Sequence, residues 1–259
     1  MKKTPIYPIR TRFAKNIVAE IIFPAKQTGK VAIIAVGLPS SPSKNKVLQF
    51  LASQGYVAIF PRYRGTWESE GNFLTKSPAQ DIRDVISDLT KRKVIKDFFT
   101  GETKHVRVNT IHLFGSSFGG PAALLNSRLP IVKKIIAISP IIDQKKEGED
   151  EPFDPFVRFI QEGFGDAFRV KHQKDWQKLI KTDFYNPIGH TSSIDGRKIF
   201  IIHAEDDKVV PYGPLISFAE KTRAAYYLKP KGGHLSLSHL TQQFYWKKIS
   251  RFLNKKDKK

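Results

Sequence analysis

The feature that most constrains this chain is the stretch Gly-Ser-Ser-Phe-Gly-Gly at residues 115–120. An apolar run, residues 109–114, comes before it, and a segment of helical character, residues 121–126, follows it. This order predicts a strand, a sharp turn with Ser117 at its apex, and a helix. Glycines fit such a turn because the chain passes too close to its neighbours to leave room for Cβ atoms. The pattern makes Ser117 a candidate nucleophile, although a Gly- and Ser-rich turn also occurs without any chemistry.

The same turn supplies a candidate hydrogen-bond donor for a developing oxyanion. A serine at the apex leaves the next backbone N–H, that of Phe118, facing the reacting centre. The helix that begins there adds its positive end, which favours negative charge at the same place.

Two later segments offer the base and the orienting acid that a serine nucleophile needs. An apolar run, residues 198–203, leads into an acidic turn, Glu-Asp-Asp at 205–207, in which each carboxylate is a candidate. His234 lies on a loop behind two glycines, after the last strand-like segment. His112 and His203 fall on predicted strands, so we interpret both as structural.

Two earlier segments have the character of strands that end in functional loops. Residues 31–39 form an apolar run that ends in Gly-Leu-Pro, and a second run is followed by Arg62-Tyr-Arg64-Gly. Either arginine could reach a substrate carboxylate. We favour the interpretation that one of them holds this loop to Asp81 or Asp84 on the following helix.

These segments together resemble the α/β-hydrolase superfamily over nearly the whole chain, especially small bacterial esterases and the catalytic domain of prolyl-oligopeptidase-type peptidases. The chain order Ser, Asp, His is the order of that superfamily. The resemblance implies the α/β-hydrolase fold, an α/β architecture with a mostly parallel central sheet flanked by helices. It also implies that Asp207 is the acid, with Asp143 as runner-up, that His234 is the base, and that the N–H groups of Phe118 and Leu38 form the oxyanion hole.

Alternation of apolar runs with helical periods also favours a mostly parallel sheet covered by helices. The length of 259 residues fits a single domain over residues 1–259. Residues 97–106 are interpreted as a polar insertion. The predicted strands are 16–23, 31–36, 56–60, 110–114, 134–139, 198–203 and 224–228, and the predicted helices are 44–53, 78–93, 118–128, 214–222 and 239–254.

The segment from about 142 to 197 breaks this alternation, with an acidic loop followed by many aromatic residues. In the family that the chain resembles, the region between strands six and seven often forms a cap over the nucleophile, and we expect a helical cap here. Its aromatic side chains either line an acyl or aryl pocket or pack the cap onto the core. For any single aromatic residue, packing is the favoured interpretation.

Charge and composition limit the remaining possibilities. The net charge is +20, but the 44 basic residues are spread along the chain, which favours a lysine-rich surface over a specific nucleic-acid partner. No apolar stretch is long enough to cross a membrane, and no apolar run follows the basic start as in a signal peptide. The absence of cysteine excludes disulfides, a cysteine nucleophile and cysteine-bound zinc, and agrees with a cytoplasmic location. We expect no cofactor and no metal.

Three functions are consistent with these observations. The leading hypothesis is a serine hydrolase that cleaves carboxylic esters through an acyl-enzyme intermediate. The second is an aminopeptidase or oligopeptidase that uses the same residues on short peptides, although the sequence shows no clear carboxylate pair for a peptide amino terminus. The third is a hydrolase-like binding protein without turnover.

Overall fold

A large mixed sheet lies at the centre of the protein. The structure is a computed structural model that describes residues 7–255, so the predictions for the first six and last four residues lie outside it. Within this range the sheet has eight strands in the order β1-β2-β4-β3-β7-β8-β9-β10, and β5 and β6 form a separate hairpin. The strands are β1 (Ile9–Phe13), β2 (Ile17–Ile22), β3 (Lys30–Ala35), β4 (Val57–Pro61), β5 (Val94–Lys96), β6 (Thr103–His105), β7 (Thr110–Ser116), β8 (Val132–Ile138), β9 (Ile199–Ala204) and β10 (Ala225–Lys229).

All pairs of neighbouring strands from β4 to β10 in this order are parallel, and β2 runs antiparallel to both of its neighbours. The central strands are buried on both faces, which explains their continuous runs of Val, Ile and Ala. Helices cover both faces of the sheet. They are α1 (Asn45–Ser53), α2 (Pro78–Lys91), α3 (Gly119–Leu124), α4 (Phe153–Phe164), α5 (Lys178–Lys181), α6 (Gly213–Thr222) and α7 (Gln243–Leu253).

The seven predicted strands are confirmed, with boundaries that differ from the observed ones by two residues or fewer. Two features were not predicted. Strand β1 carries Arg10 and Arg12, whose charges masked its alternating pattern. The hairpin of β5 and β6 overlaps residues 97–106, where we expected only a polar insertion.

The five predicted helices are present, and two of them differ from the observed helix by more than two residues at one end. The helix after Ser117 ends at Leu124 rather than Arg128, because the Asn126 side chain takes the carbonyl of Ala122 as its acceptor at 2.8 Å. The last helix begins at Gln243 rather than His239. A short 3₁₀ turn, Leu237–Thr241, precedes it, and the extended backbone of Gln242 separates the two.

The sheet brings three loops to one edge. Parallel strands present their carboxyl ends at the same edge, and the loops after β7, β9 and β10 carry Ser117, Asp207 and His234 respectively. The chain between β8 and β9, the sixth and seventh strands of the sheet, contains α4, α5 and several 3₁₀ turns. This segment reaches the loop after β4 through isolated bridges from Thr66 to Phe168 and from Phe73 to Val170. In residues 7–255, none of the helices has the length and apolar character required to cross a bilayer.

Candidate active site

The turn at Ser117 has the strained backbone of a nucleophile elbow. Ser117 has a φ of +49°, which a residue with a Cβ atom rarely adopts and which costs about 1–3 kcal/mol. Hydrogen bonds on both sides hold it there, from Ser117 N to Ile138 O at 3.1 Å and from Gly120 N to Ser117 O at 2.9 Å. The sheet and α3 therefore fix the backbone that presents this hydroxyl.

Glycines are required around the turn because other backbone segments approach it closely. A Cβ atom on Gly119 would lie 2.1 Å from the carbonyl oxygen of Ala35. A Cβ atom on Gly37 would lie 2.9 Å from the Cβ of Ser117. The loop after β3 therefore passes directly beside the candidate nucleophile, and a larger residue at either position would push the two apart.

Two buried tyrosines support the turn, and no local sequence motif predicts the role of either. The hydroxyl of Tyr185 donates to Phe118 O at 2.7 Å, and that of Tyr63 donates to Val36 O at 3.1 Å. Burial raises the pKa of both phenols, so both stay protonated and act as donors. Tyr185 thus connects the segment between β8 and β9 directly to the turn.

Asp207 is the carboxylate that contacts His234. Nδ1 of His234 lies 2.9 Å from Oδ2 and 3.1 Å from Oδ1 of Asp207. The N–H groups of Val209 and Val210 also donate to Oδ1, each at 3.0 Å. Burial acts to raise the pKa of Asp207, but the hydrogen bonds from His203, His234 and Val210 outweigh it and hold that pKa well below its usual range. The carboxylate is therefore ionised and able to orient the imidazole.

His203, which we interpret from the sequence as structural, is a second imidazole at this carboxylate. It lies on β9 as predicted and is fully buried. Its Nε2 is 3.0 Å from Val210 O and 3.2 Å from Oδ2 of Asp207. Since a carbonyl only accepts, Nε2 carries the proton. The sequence signal was its position four residues before Asp207 at the end of a strand.

The other carboxylates considered for the acid have different partners. Oδ1 of Asp206 accepts the N–H groups of Gly232 and Gly233, both at 2.8 Å, and thereby anchors the loop that carries His234. These hydrogen bonds, the one from Gly233 foremost, lower the pKa of Asp206. Asp143 accepts from Lys145 N at 3.0 Å. Within the described residues, Asp207 is the carboxylate to which His234 is hydrogen-bonded.

Ser117 and His234 line one cavity, but in the described residues no hydrogen bond joins the serine hydroxyl to the imidazole. Such bonds are often long in unliganded enzymes and shorten when substrate binds. The role of these residues therefore stays a prediction.

Two backbone N–H groups beside Ser117 are available to a ligand. Within residues 7–255, the N–H groups of Phe118 and Leu38 have no acceptor in the protein. Leu38 is buried and lines the same cavities as Ser117. An unpaired N–H in a buried turn is costly unless water or a ligand accepts from it. Both groups are thus suited to bind a developing oxyanion.

Two cavities meet at Ser117 and Leu38. The first, here called the aromatic cavity, has a volume of about 70 Å³ and is bounded by Phe153, Phe156 and Trp176 from the segment between β8 and β9. The second, here called the lysine cavity, has a volume of about 250 Å³ and is lined by Lys44, His234 and several serines.

The aromatic residues of the segment between β8 and β9 divide between lining and packing. Phe153, Phe156 and Trp176 bound the aromatic cavity. Phe168 and Tyr185 instead lie buried against Phe73 and Phe118, with ring centroids 5.9 and 4.9 Å apart. Some aromatic side chains of this segment therefore line a cavity, and others pack the segment onto the core.

Charged side chains also line the aromatic cavity, and the sequence does not predict that they lie together there. Glu147 and Glu151 both line it, together with Lys146. Oε2 of Glu147 accepts from Phe153 N at 3.2 Å. Burial raises the pKa of Glu151, and the nearby His234 partly offsets that effect. Their meeting depends on the path of the loop before α4, which no local motif predicts.

The loop after β4 is held as predicted. Arg64 donates to both Asp81 and Asp84 on α2, at 2.7 Å in the second case. Arg62 is buried and pairs instead with Glu20 at 3.2 Å and with Glu68 at 2.8 Å. Neither arginine lines the aromatic cavity or the lysine cavity. In residues 7–255, no group of three or more His, Asp or Glu side chains is placed to share a metal ion.

Comparison with solved structures identifies the fold. An esterase from Pyrococcus furiosus superposes with a TM-score of 0.67 at 18% identity, covering 96% of this chain and 90% of that one. The α/β hydrolase GrgF from a Penicillium species gives 0.69 at 16%, with coverages of 96% and 98%. The acylaminoacyl peptidase of Pyrococcus horikoshii gives 0.64 at 17%, where all of this chain matches 44% of that one. The protein thus has the α/β-hydrolase fold.

The family follows from the sequence itself. The family model described as X-Pro dipeptidyl-peptidase (S15 family) matches residues 14–150, more than half of the chain. The chain belongs to this family and is a serine hydrolase. The matched residues include Ser117 but end before Asp207 and His234. No protein with a curated description matches the sequence.

Proposed function

We propose that the protein cleaves carboxylic esters through an acyl-enzyme intermediate, with Ser117, His234 and Asp207 as the catalytic triad. The observation that carries this proposal is the strained Ser117 turn beside a histidine that is hydrogen-bonded to a buried, ionised aspartate. We also propose that residues 1–259 form one domain, with residues of about 142–197 acting as a cap over the site.

The triad would act in two steps, acylation of Ser117 and hydrolysis of the acyl-enzyme. Ser117 Oγ attacks the ester carbonyl while Nε2 of His234 takes its proton, and the tetrahedral oxyanion accepts hydrogen bonds from the N–H groups of Phe118 and Leu38. The C–O bond to the alcohol then breaks as His234 returns the proton to the leaving oxygen. Water attacks the acyl-enzyme by the same route and releases the acid and free serine. Asp207 stays ionised and stabilises the imidazolium.

The aromatic cavity is suited to the acyl group of such an ester. Phe153, Phe156 and Trp176 surround it, together with the aliphatic side chains of Leu179 and Val210. Apolar surfaces of this kind gain about 25 cal/mol for each Å² of apolar ligand area that they bury. Acyl chains or aryl groups that fill the cavity should therefore be preferred over very short ones.

Ser117→Ala tests the nucleophile directly. It should lower kcat on p-nitrophenyl esters by at least about 10³-fold, because the water reaction then lacks covalent catalysis. A fluorophosphonate probe should label the unmodified protein at Ser117 and leave the variant unlabelled. Residual esterase activity close to that of the unmodified protein, with labelling elsewhere, would overturn the assignment.

A peptidase that uses the same triad is the second candidate, supported by the family to which the chain belongs. A free peptide amino terminus is a cation, and Glu147 and Glu151 supply carboxylates at the cavity beside Ser117. The ratio of kcat/KM on p-nitrophenyl esters to that on aminoacyl- and Xaa-Pro-anilides separates the two functions. A ratio that strongly favours the anilides would replace the esterase proposal.

Glu151→Gln tests the carboxylate of the peptidase candidate. It should lower kcat/KM about tenfold on a substrate with a free amino terminus and leave the N-acetylated form of that substrate within about twofold, because only the former brings a cation. Glu149→Gln is a matched control, since Glu149 is exposed, pairs with Lys208 at 3.3 Å and does not line the cavity. Equal losses on both substrates would show that Glu151 does not bind the amino group.

A further inference from the structure

The two cavities differ in which catalytic group they contain. Ser117 and Leu38 line both of them, so the carbonyl under attack lies where they meet. His234 lines the lysine cavity and is not among the lining residues of the aromatic cavity. Of the two spaces into which the halves of a substrate extend, the lysine cavity is the one that the imidazole lines.

This difference gives each cavity a role in the reaction. The general acid must reach the leaving oxygen to protonate it as the C–O bond breaks. The leaving group must then extend into the space that the imidazole faces, which is the lysine cavity. The acyl group then occupies the aromatic cavity, where the rings of Phe153, Phe156 and Trp176 provide apolar surface. This step rests on the proposed function, in which His234 is the acid.

The lysine cavity contains a cation without a carboxylate partner. Lys44, the residue before α1, lines it together with Ser40, Ser236 and Ser238. Its Nζ donates to Ser41 Oγ at 3.1 Å, and among the described residues no carboxylate lies within ion-pair distance of it. Burial lowers the pKa of Lys44, so its charged form lacks part of the solvation that water would give.

We propose that the lysine cavity binds the leaving group of the substrate and that Lys44 makes it selective for leaving groups that carry a carboxylate. An anion there would provide the charge partner that Lys44 lacks, and the neighbouring serine hydroxyls would donate to its remaining oxygen lone pairs. The substrate class is then an ester of an apolar acid with a hydroxy acid, cleaved to two carboxylic acids.

Two esters of one acyl group test the proposal, one with 3-hydroxybenzoate as the leaving group and one with 3-hydroxybenzamide. The acyl group is the best one from a chain-length panel. Lys44→Gln should lower kcat/KM about tenfold on the carboxylate ester and less than twofold on the amide ester, and Lys44→Arg should retain the preference. The ratio of kcat/KM for the two esters is compared between each variant and the unmodified protein, so the intrinsic difference in reactivity between the esters cancels.

Lys46→Gln is the matched control, because Lys46 is exposed in the first turn of α1 and lines neither cavity, and its replacement removes the same charge. It should leave the substrate preference unchanged. Raising NaCl to 0.5 M should reduce the preference of the unmodified protein, since salt screens a partly exposed charge pair. Equal effects of Lys44→Gln on both esters, or an equal effect of Lys46→Gln, would overturn the proposal.

The outcomes separate this proposal from the one on which it rests. If Ser117→Ala leaves both esters hydrolysed, the proposed function fails. If Ser117→Ala abolishes hydrolysis but Lys44→Gln changes no preference, only the role of the lysine cavity fails. If neither ester is turned over, protection of Ser117 from the fluorophosphonate by 3-hydroxybenzoate, compared with 3-hydroxybenzamide, measures the same preference. Equal protection by the two compounds would overturn it.

Discussion

At the scale of single residues, Gly37 is the position where one added methyl group should separate structure from activity. Its Cβ would meet the Cβ of Ser117 at 2.9 Å, so Gly37→Ala displaces the nucleophile relative to the N–H of Leu38. A displacement of about 1 Å costs about 10²-fold in rate. We expect that loss in kcat/KM. Gly213→Ala is the control, because nothing lies within 4 Å of a Cβ there. Full activity of Gly37→Ala would show that the loop after β3 can move to accommodate the methyl group without loss of activity.

His112 should make the stability of the protein depend on pH. Burial, with smaller contributions from the charges of Lys30 and Lys134, lowers its pKa from 6.5 to about 4. Between these values the unfolded chain binds a proton that the folded protein does not, so the free energy of unfolding falls as pH falls. The loss from pH 7 to pH 5 is about 2 kcal/mol.

Urea unfolding at pH 7 and pH 5 measures that contribution. In His112→Gln the loss of stability between the two pH values should shrink by about 2 kcal/mol. The amide retains an acceptor for the hydroxyl of Tyr56, which contacts Nδ1 of His112 at 2.8 Å. His105→Gln, at an exposed position, should leave the pH dependence unchanged. An unaltered dependence in His112→Gln would place its origin elsewhere.

At the scale of elements, β2 and β4 are joined by a buried ion pair in addition to their backbone hydrogen bonds. Glu20 on β2 and Arg62 after β4 are each at most 2% exposed and lie 3.2 Å apart. Removing Arg62 should cost about 3 kcal/mol, because Glu20 then stays buried with only the partly exposed Arg10, 3.1 Å away, as its cation. Arg62→Met should therefore lower the free energy of unfolding by about this amount.

The double variant Glu20→Gln with Arg62→Met distinguishes a buried pair from lost packing. It should be less destabilised than the sum of the two single variants, since no uncompensated charge remains. Arg12→Met is the exposed comparison, because the pair of Arg12 and Glu70 is about half exposed and should contribute less than about 1 kcal/mol. Simple additivity of the two buried substitutions would contradict the account.

The elements that the sequence predicts differ from those that it does not predict in how burial shapes their apolar pattern. Strands such as β3 and β8 are buried on both faces, and their continuous apolar runs predict them directly. Strand β1 lies at the sheet edge, where Arg10 and Arg12 interrupt the apolar signal. The end of α3 is set by the side chain of Asn126, a hydrogen bond that helix propensity does not contain.

At the scale of the whole molecule, the loops of the candidate site could be predicted because topology brings them together. A serine turn, an acidic turn and a histidine loop, each after a strand of one parallel sheet, meet at its carboxyl edge. The hydrogen bond between His234 and Asp207 lies at that edge, as the topology leads one to expect. The contact of His203 with Asp207 and the two cavities could not be predicted in this way. They depend on packing between distant segments, such as those that bring Lys44 and His234 to one cavity.

The charge of the molecule gives the last prediction. A formal net charge of +20 means that the folded protein repels itself, and salt should relieve that repulsion. Raising NaCl from 10 to 200 mM should therefore increase the free energy of unfolding in urea by about 1 kcal/mol. Replacing four exposed lysines by glutamine should shrink this gain, and Lys26, Lys46, Lys171 and Lys221 are suitable because they lie outside the ion pairs described above. A fall in stability with salt would mean instead that local pairs, such as Arg64 with Asp84, outweigh the repulsion, because salt weakens attraction and repulsion alike.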